Sequence, residues 1–357
     1  MSSSAAPARA TGPSVDDALA EVAAGAAARD RAPARFPEEA VGALERAGAL
    51  GFAASLGHRQ EWSLVRRIAR ADGSVGRIID GHLNGMERLL ALAPGPLRAA
   101  EMRALAAGSR RIGVWGADPV PGEGVPARLV DGRSGPVVVG AKVFCSGAGG
   151  VDRALVTVTG DAGPGLLAYV DVSRGIEIDT GWYAGSGLRT AESHRVLFHA
   201  APVIAVLGAP GELVREPWFS RDAIRTAACW AGIADRAADA ALDALAGRTR
   251  PGELDGLAAG RIVGAVAGID RWLEAAAAVA DDPDRDLADT SVLLRAAVSE
   301  ACRTVLEEGA RALGSRPFAS GGDLDRCRRD LELFLLQHRL DPMVARLGMR
   351  ELARRAV

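Results

Sequence analysis

The sequence predicts an α+β fold in three parts: an N-terminal helical domain, a small central β-sandwich or barrel domain, and a C-terminal antiparallel four-helix bundle. Three observations carry the prediction. Apolar residues follow the helical period up to about Gly108, short β-rich runs alternate with Gly, Pro and Asp turns from about Arg110, and Ala-rich helical segments return at Glu212. A chain of 357 residues also exceeds what one hydrophobic core usually serves. The expected boundaries are a disordered N-terminus over 1–13, the helical domain over 14–109, the β domain over 110–211 and the bundle over 212–357.

The elements follow in order. Asp16 and Asp17 mark a helix start, and Phe36-Pro37-Glu38-Glu39 opens another with proline and acids in its first turn. The clearest amphipathic stretch covers 62–92, where Leu64, Ile68, Val75, Ile79 and Met86 keep the helical period and Asp72-Gly73-Ser74 breaks and recaps it. Strands are expected at 111–115, 127–130, 137–145, 154–159, 166–170, 176–178 and 196–198, with Asp131-Gly132 signalling a hairpin. Long helices do not alternate with these runs, which argues against a doubly wound nucleotide fold. Helices over roughly 217–247, 253–280, 286–313 and 323–338, parted by Pro251, Pro283 and Pro317, make the bundle.

Composition narrows the function classes. A net charge of −2 provides no field for nucleic acid or an acidic membrane surface. Lys142 is the only lysine, and its plainest reading is a compositional bias toward arginine. Cys145, Cys229, Cys302 and Cys327 form no CxxC pair, which excludes a usual zinc knuckle or disulfide framework and suits a reducing cytosol. The first residues lack the apolar stretch of a signal peptide, and no apolar run is long enough to span a bilayer. A cytoplasmic protein with no membrane or nucleic-acid partner is expected.

Standard catalytic motifs are absent: no GxSxG elbow, Walker loop or HExxH. Ser146-Gly147-Ala148-Gly149-Gly150 reads either as a phosphate cradle or as a tight turn after a strand, the commoner state of a glycine cluster. Cys145 is open to two readings, a thiol nucleophile or a small buried strand residue. His58, His194 and His199 read as loop or strand surface. His82 lies on the apolar stripe, either as a satisfied core histidine or as a polar group facing a substrate cavity. His338 ends the last apolar helix ahead of Pro342, where a histidine can simply complement the helix dipole or serve as a base.

Three stretches, taken together, resemble the acyl-CoA dehydrogenase superfamily. Gly140-Ala141-Lys142-Val143-Phe144-Cys145-Ser146-Gly147, followed by Val151-Asp152-Arg153-Ala154, is similar to the family's G-x-K-x-F/W strand pair. Gly187-Leu188-Arg189-Thr190 through Val196-Leu197-Phe198 to Pro202-Val203 is similar to its exit from the β domain. Gly309-Ala310-Arg311-Ala312-Leu313-Gly314, with Arg326 and Arg329-Asp330-Leu331, resembles the C-terminal Q-x-F-G-G…R-x-x-R-D-A pattern.

The resemblance implies FAD, with FMN as the alternative, held between the β domain and the bundle and completed by a partner subunit in a homodimer or homotetramer. It places Trp115-Gly116-Ala117 and Phe144-Cys145-Ser146 along the flavin ring, where backbone N–H groups can bond the ring's polar edge and aromatic side chains can pack on its face. Arg311 falls near the pyrophosphate, beside Gly314. The implied substrate is a small molecule, a CoA thioester or a relative. A flavin reductase or electron-transfer protein is an implied partner.

The sequence also departs from the family. Ala117-Asp118-Pro119 loses a hydroxyl expected beside the flavin, and His338 stands where the family's carboxylate base would be. At the alternative base location near Arg225 there is Ile224, with Asp222 and Glu216 close but out of register. A histidine in place of the glutamate resembles the oxygen-using monooxygenase branch, in which His338 and His82 would converge on one pocket. The reading that follows is a flavin-dependent oxidoreductase, either dehydrogenase or monooxygenase, against a catalytically degenerate scaffold that keeps only the fold.

Overall fold

The structure is a computed structural model that describes residues 13–52, 56–159, 165–282, 284–337 and 339–356. Most of the segment expected to be disordered, and His338, lie outside the described residues. Six helices come first: α1 Val15–Arg31, α2 Glu38–Arg46, α3 Ala49–Phe52, α4 His58–Ala71, α5 Gly73–Leu92 and α6 Gly95–Ala106. Ser14 caps α1, accepting the Asp17 N–H at 3.1 Å while the Asp17 carboxylate accepts the Ser14 N–H. Asp72 ends α4 and caps α5: its Oδ1 accepts the N–H groups of Ser74 (3.0 Å) and Val75 (3.2 Å), so the predicted break and recap forms as one residue's work.

Seven strands follow: β1 Ile112–Trp115, β2 Arg128–Gly132, β3 Gly135–Cys145, β4 Arg153–Val158, β5 Leu166–Asp171, β6 Ile176–Asp179 and β7 His194–Leu207. They form one mixed sheet ordered β1-β4-β5-β7-β3-β2, with β6 on β7 and only β1–β4 parallel. β7 is far longer than the expected 196–198. Its first part pairs with β3 and β6 and its last part with β5, which curls the sheet. Hydrogen bonds from Leu129 N–H to the Thr159 carbonyl (3.3 Å) and from Thr159 N–H to Ala127 (3.0 Å) bring β2 back to the chain leaving β4. The curl encloses a core of Trp115, Val138, Cys145, Val156, Val170 and Phe198. The predicted hairpin joins β2 to β3, but Gly132 pairs with Gly135, so Arg133-Ser134 make the turn two residues later than the Asp-Gly signal.

The C-terminal helices are α7 Trp218–Ala246, α8 Glu253–Ala280, α9 Ala288–Leu313, the short α10 Arg316–Ala319, α11 Asp323–Phe334 and α12 Asp341–Arg355. Four of them are the expected bundle helices. α11 stops four residues short of the expected end, and α12, which buries no residue, was not anticipated. The two helical regions share one core. Val22, Leu44, Trp62 and Ile68 pack in the same cluster as Trp230, Ala234, Val298 and Leu331. α4 and α7 cross so closely that a methyl on Gly232 would collide with the Arg66 carbonyl. Among the described residues no helix is long and apolar enough to cross a membrane.

Candidate active site

The two β segments singled out in the sequence meet at one edge of the sheet. The Val143 N–H donates to the Ala117 carbonyl (3.1 Å), and the Trp115 indole N–H donates to the Ser146 carbonyl (3.1 Å). β3 slips register against β7 between Lys142 and Cys145, and Phe144 takes a left-handed φ of 51°. This bulge turns the Phe144 ring outward, where it is 51% exposed and stands edge-on to Trp182 at 4.8 Å. Trp115 goes the other way. Its ring is enclosed in the β core, so only the backbone after it can face a ligand. Cys145 is also enclosed, and burial pushes its thiol well up, which makes it the buried strand residue rather than a nucleophile.

Beyond Cys145 the glycine cluster is a turn, fastened to the segment before β7 by the Gly147 N–H on the Ala191 carbonyl (2.7 Å). The Ser146 and Ser193 hydroxyls share a hydrogen bond of 2.9 Å. His194 is a correction to its surface reading: it is buried, with Nε2 3.1 Å from the Glu192 carboxylate. The neighbouring loop 116–118 is held from below. Lys142, 1% exposed, donates to the Asp118 carboxylate (2.6 Å), the Thr157 hydroxyl (2.7 Å) and the Gly116 carbonyl (3.3 Å). Among the described residues the N–H groups of Ala117 and Asp118 have no partner.

Facing this wall is a charged interior between α5 and α7. Leu213 connects the two, since a methyl on Gly116 would sit 3.0 Å from its Cδ2 while its carbonyl accepts from Arg88 (3.0 Å). Arg88 is fully buried on α5, with its guanidinium 5.9 Å from the Trp218 ring centre. Arg225 on α7 gathers Glu61 of α4 (2.6 Å), Glu87 of α5 (2.9 Å) and Asp222 (3.3 Å). Asp80 accepts from Arg77 (2.7 Å) and Thr226 (3.1 Å), and its other oxygen has no partner. Burial pushes the Asp80 carboxyl up. Asp222 is half-buried near the start of α7, its side chain 25% exposed. Burial, and then the charge of Asp80, push it up to about 7.

The remaining predicted residues lie elsewhere. His82 does not face a cavity. It is 1% exposed, its Nδ1 accepts the Ile112 N–H at 3.2 Å, and burial lowers its pKa to about 4. It is a neutral tie between α5 and β1, the core reading of that residue. Arg311 is exposed and ion-paired with Glu308 (2.5 Å), which also receives Arg261 of α8 (3.1 Å). Gly314 ends α9 with a left-handed φ of 67°. A surface groove of about 500 Å³ opens between α4, α7 and α8, lined by Arg66, Arg70, Asp235, Asp239 and Val263, and touches none of the predicted residues. The residues that sequence reasoning missed are the buried charges. Arg77, Asp80 and Arg88 sit on a stripe that reads as amphipathic, and their partners are far away in sequence. Among the described residues no group of histidines, cysteines and carboxylates could hold a metal ion.

No protein-family model matches the chain, and no curated protein matches it. Solved structures do. The FMN-bound dibenzothiophene monooxygenase TdsC of Paenibacillus sp. A11-2 is 19% identical, with a TM-score of 0.83 covering 95% of this chain and 96% of that one. A nitrososynthase of Micromonospora carbonacea var. africana is 22% identical, with a TM-score of 0.79 covering 96% and 95%. The butyryl-CoA dehydrogenase of Megasphaera elsdenii is 15% identical, with a TM-score of 0.79 covering 90% and 94%. The chain therefore has the acyl-CoA dehydrogenase-like fold, as the three sequence stretches implied.

Proposed function

We propose that this chain is a flavin-dependent oxidoreductase acting on a small substrate bound between the sheet edge and the α5–α7 interior. The observation that carries the reading is the wall at that edge: an outward aromatic ring at Phe144, the Ser146 hydroxyl, and two partnerless backbone donors at Ala117 and Asp118. Such a surface fits a flat heteroaromatic group with a polar edge. The proteins it is similar to support the reading, since TdsC is FMN-bound and also forms a complex with FMN and indole. Gly116, Ala117, Phe144 and Ser146 would hold the ring of FAD, or of FMN in the same place. Arg311 and Gly314, at the end of α9, would serve the flavin of a second copy in a homodimer or homotetramer. When bound, the flavin supplies the electron-accepting group.

The chain's own contribution is to orient the substrate and handle protons. Asp222, its side chain partly exposed and its carboxyl raised to about 7, can hold or release a proton. His338 keeps the base role that the resemblance gives it. Two reactions remain in view, dehydrogenation of an acyl thioester and oxygenation of a small substrate. The likeness to TdsC, a dibenzothiophene monooxygenase, supports the second. That reaction calls for a flavin reductase as partner. We place the protein in the cytoplasm, a reading supported by its four free cysteines.

The first test is the visible spectrum of the purified protein with and without added FAD and FMN. A flavin band supports the enzyme reading, whereas a colourless protein that ignores both flavins leaves only the scaffold. Anaerobic bleaching by acyl-CoA selects dehydrogenation, and oxygen uptake with reduced flavin and a polar substrate selects oxygenation. His338→Ala should then stop turnover while flavin stays bound.

A further inference from the structure

We propose that Lys142 is a positioning residue that aims the backbone donors of loop 116–118 outward, and that this position requires an ammonium rather than a guanidinium. The role rests on the flavin reading above. Every other one of the 43 basic residues in the chain is arginine. A bias that strong replaces lysine wherever arginine serves equally well, and position 142 is where it did not.

The geometry gives the reason. The Nζ of Lys142 reaches three acceptors from one atom: the Asp118 carboxylate at 2.6 Å, the Thr157 hydroxyl of β4 at 2.7 Å and the Gly116 carbonyl at 3.3 Å, the last two being 3.0 Å from each other. An ammonium carries three donors that diverge tetrahedrally from one atom. A guanidinium is larger, and its donors lie in one plane, so it cannot serve three acceptors that converge on a single buried point.

The peptide bond transmits this anchoring to the outer surface. In a trans peptide the carbonyl of one residue and the N–H of the next point in opposite directions. The Gly116 carbonyl is drawn inward by Lys142 and by the Thr157 hydroxyl (3.0 Å), so the Ala117 N–H is turned outward. The Ala117 carbonyl accepts from Val143 N–H (3.1 Å), so the Asp118 N–H points away from β3. Among the described residues these two donors have no partner, and their loop is bonded to Val143, the residue before the outward Phe144. Lys142 touches no ligand itself; it fixes the direction of atoms that do.

The test compares the wild type with Lys142→Met, Lys142→Arg and Thr157→Val, measuring the dissociation constant for FAD and FMN by fluorescence titration, the position of the bound-flavin absorption band, and thermal unfolding. Thr157→Val is nearly isosteric and removes one leg of the tripod, so it remains informative if a Lys142 variant fails to fold. The expected result is a tenfold or greater loss of flavin affinity with Lys142→Met, no rescue by Lys142→Arg, and a severalfold loss with a shifted band in Thr157→Val. A purely structural lysine would lower the unfolding temperature but leave affinity and band unchanged in the folded variants, and that outcome overturns the proposal. Arginine binding flavin as tightly as lysine would also overturn it, with the flavin reading intact. A wild type that binds neither flavin overturns the functional reading and this role with it.

Discussion

Replacing Arg225 with methionine tests whether the charged interior is a connected unit. The side chain is fully buried and holds carboxylates from three helices: Glu61 at 2.6 Å, Glu87 at 2.9 Å and Asp222 at 3.3 Å. Methionine keeps much of the volume but strands the negative charges. Glu87 retains Arg221 at 3.4 Å, and Asp222 keeps only the more distant charges of Arg88 and Arg77. Removing one member of a buried ion pair costs about 3–5 kcal/mol, because the partner charge is left uncompensated. Unfolding entropy scales with chain length, so for a chain this long each kcal/mol is worth roughly 1.3 °C, and the midpoint should fall by about 4–7 °C. Burial and the charge of Asp80 already raise the Asp222 carboxyl, and Arg225 is one of the charges that hold it down. Without Arg225 its protonated form is the tolerated one, so the deficit should shrink at pH 5 and widen at pH 8. Calorimetry at both pH values, with Glu61→Gln added to Arg225→Met, measures the coupling. A deficit below about 1 kcal/mol, or one equal at both pH values, would refute the reasoning, since uncompensated buried charge is its premise.

Two further outcomes follow from single side chains. Asp222 is pushed up to about 7, so its contribution to stability is present below its unfolded value near 4 and is lost as pH rises through 7; Asp222→Asn should unfold at a higher temperature than wild type at pH 8 and at the same temperature near pH 4. His82→Leu leaves the Ile112 N–H without its acceptor, which costs about 1–3 kcal/mol in thermal unfolding while the folded variant still binds flavin. The wild-type imidazole, lowered to about 4, contributes stability above its unfolded value near 6.5 that is lost as pH falls toward 4, so the gap between His82→Leu and wild type should narrow in acid.

What was legible in the sequence was local. Asp72 caps α5 through N–H groups two and three residues away, and such a device is written within a few letters. The three family-like stretches gave the architecture because each is a local run within a strand and its turn or near a helix end. Long-range pairing was not legible. β7 looks short because its latter half switches from β3 to β5 near Pro202 and alternates poorly, and only the sheet reveals its continuity. His194 reads as surface, yet it is buried with the Glu192 carboxylate on its Nε2 and the Tyr183 ring edge-on to it. Trp115 was expected beside a ligand, yet its ring is enclosed in the β core, since the direction of a strand residue depends on which face the curl encloses. The charged interior was the least legible, because Glu61 and Arg225 meet across a separation of 164 positions.

The shared core of the two helical regions has a consequence for the order in which the protein can be made. α4 finds its close neighbour in α7, and the whole sheet lies between them in sequence. A chain emerging from the ribosome therefore carries Trp62, Val65 and Ile68 through the synthesis of every strand with α1 and α5 already made but α7 still missing. Contacts that span so much chain also place the protein among slow folders. Its first hundred residues are thus a natural client for a holding chaperone, and a truncation ending after β7 should be recovered as aggregate rather than as a smaller folded protein.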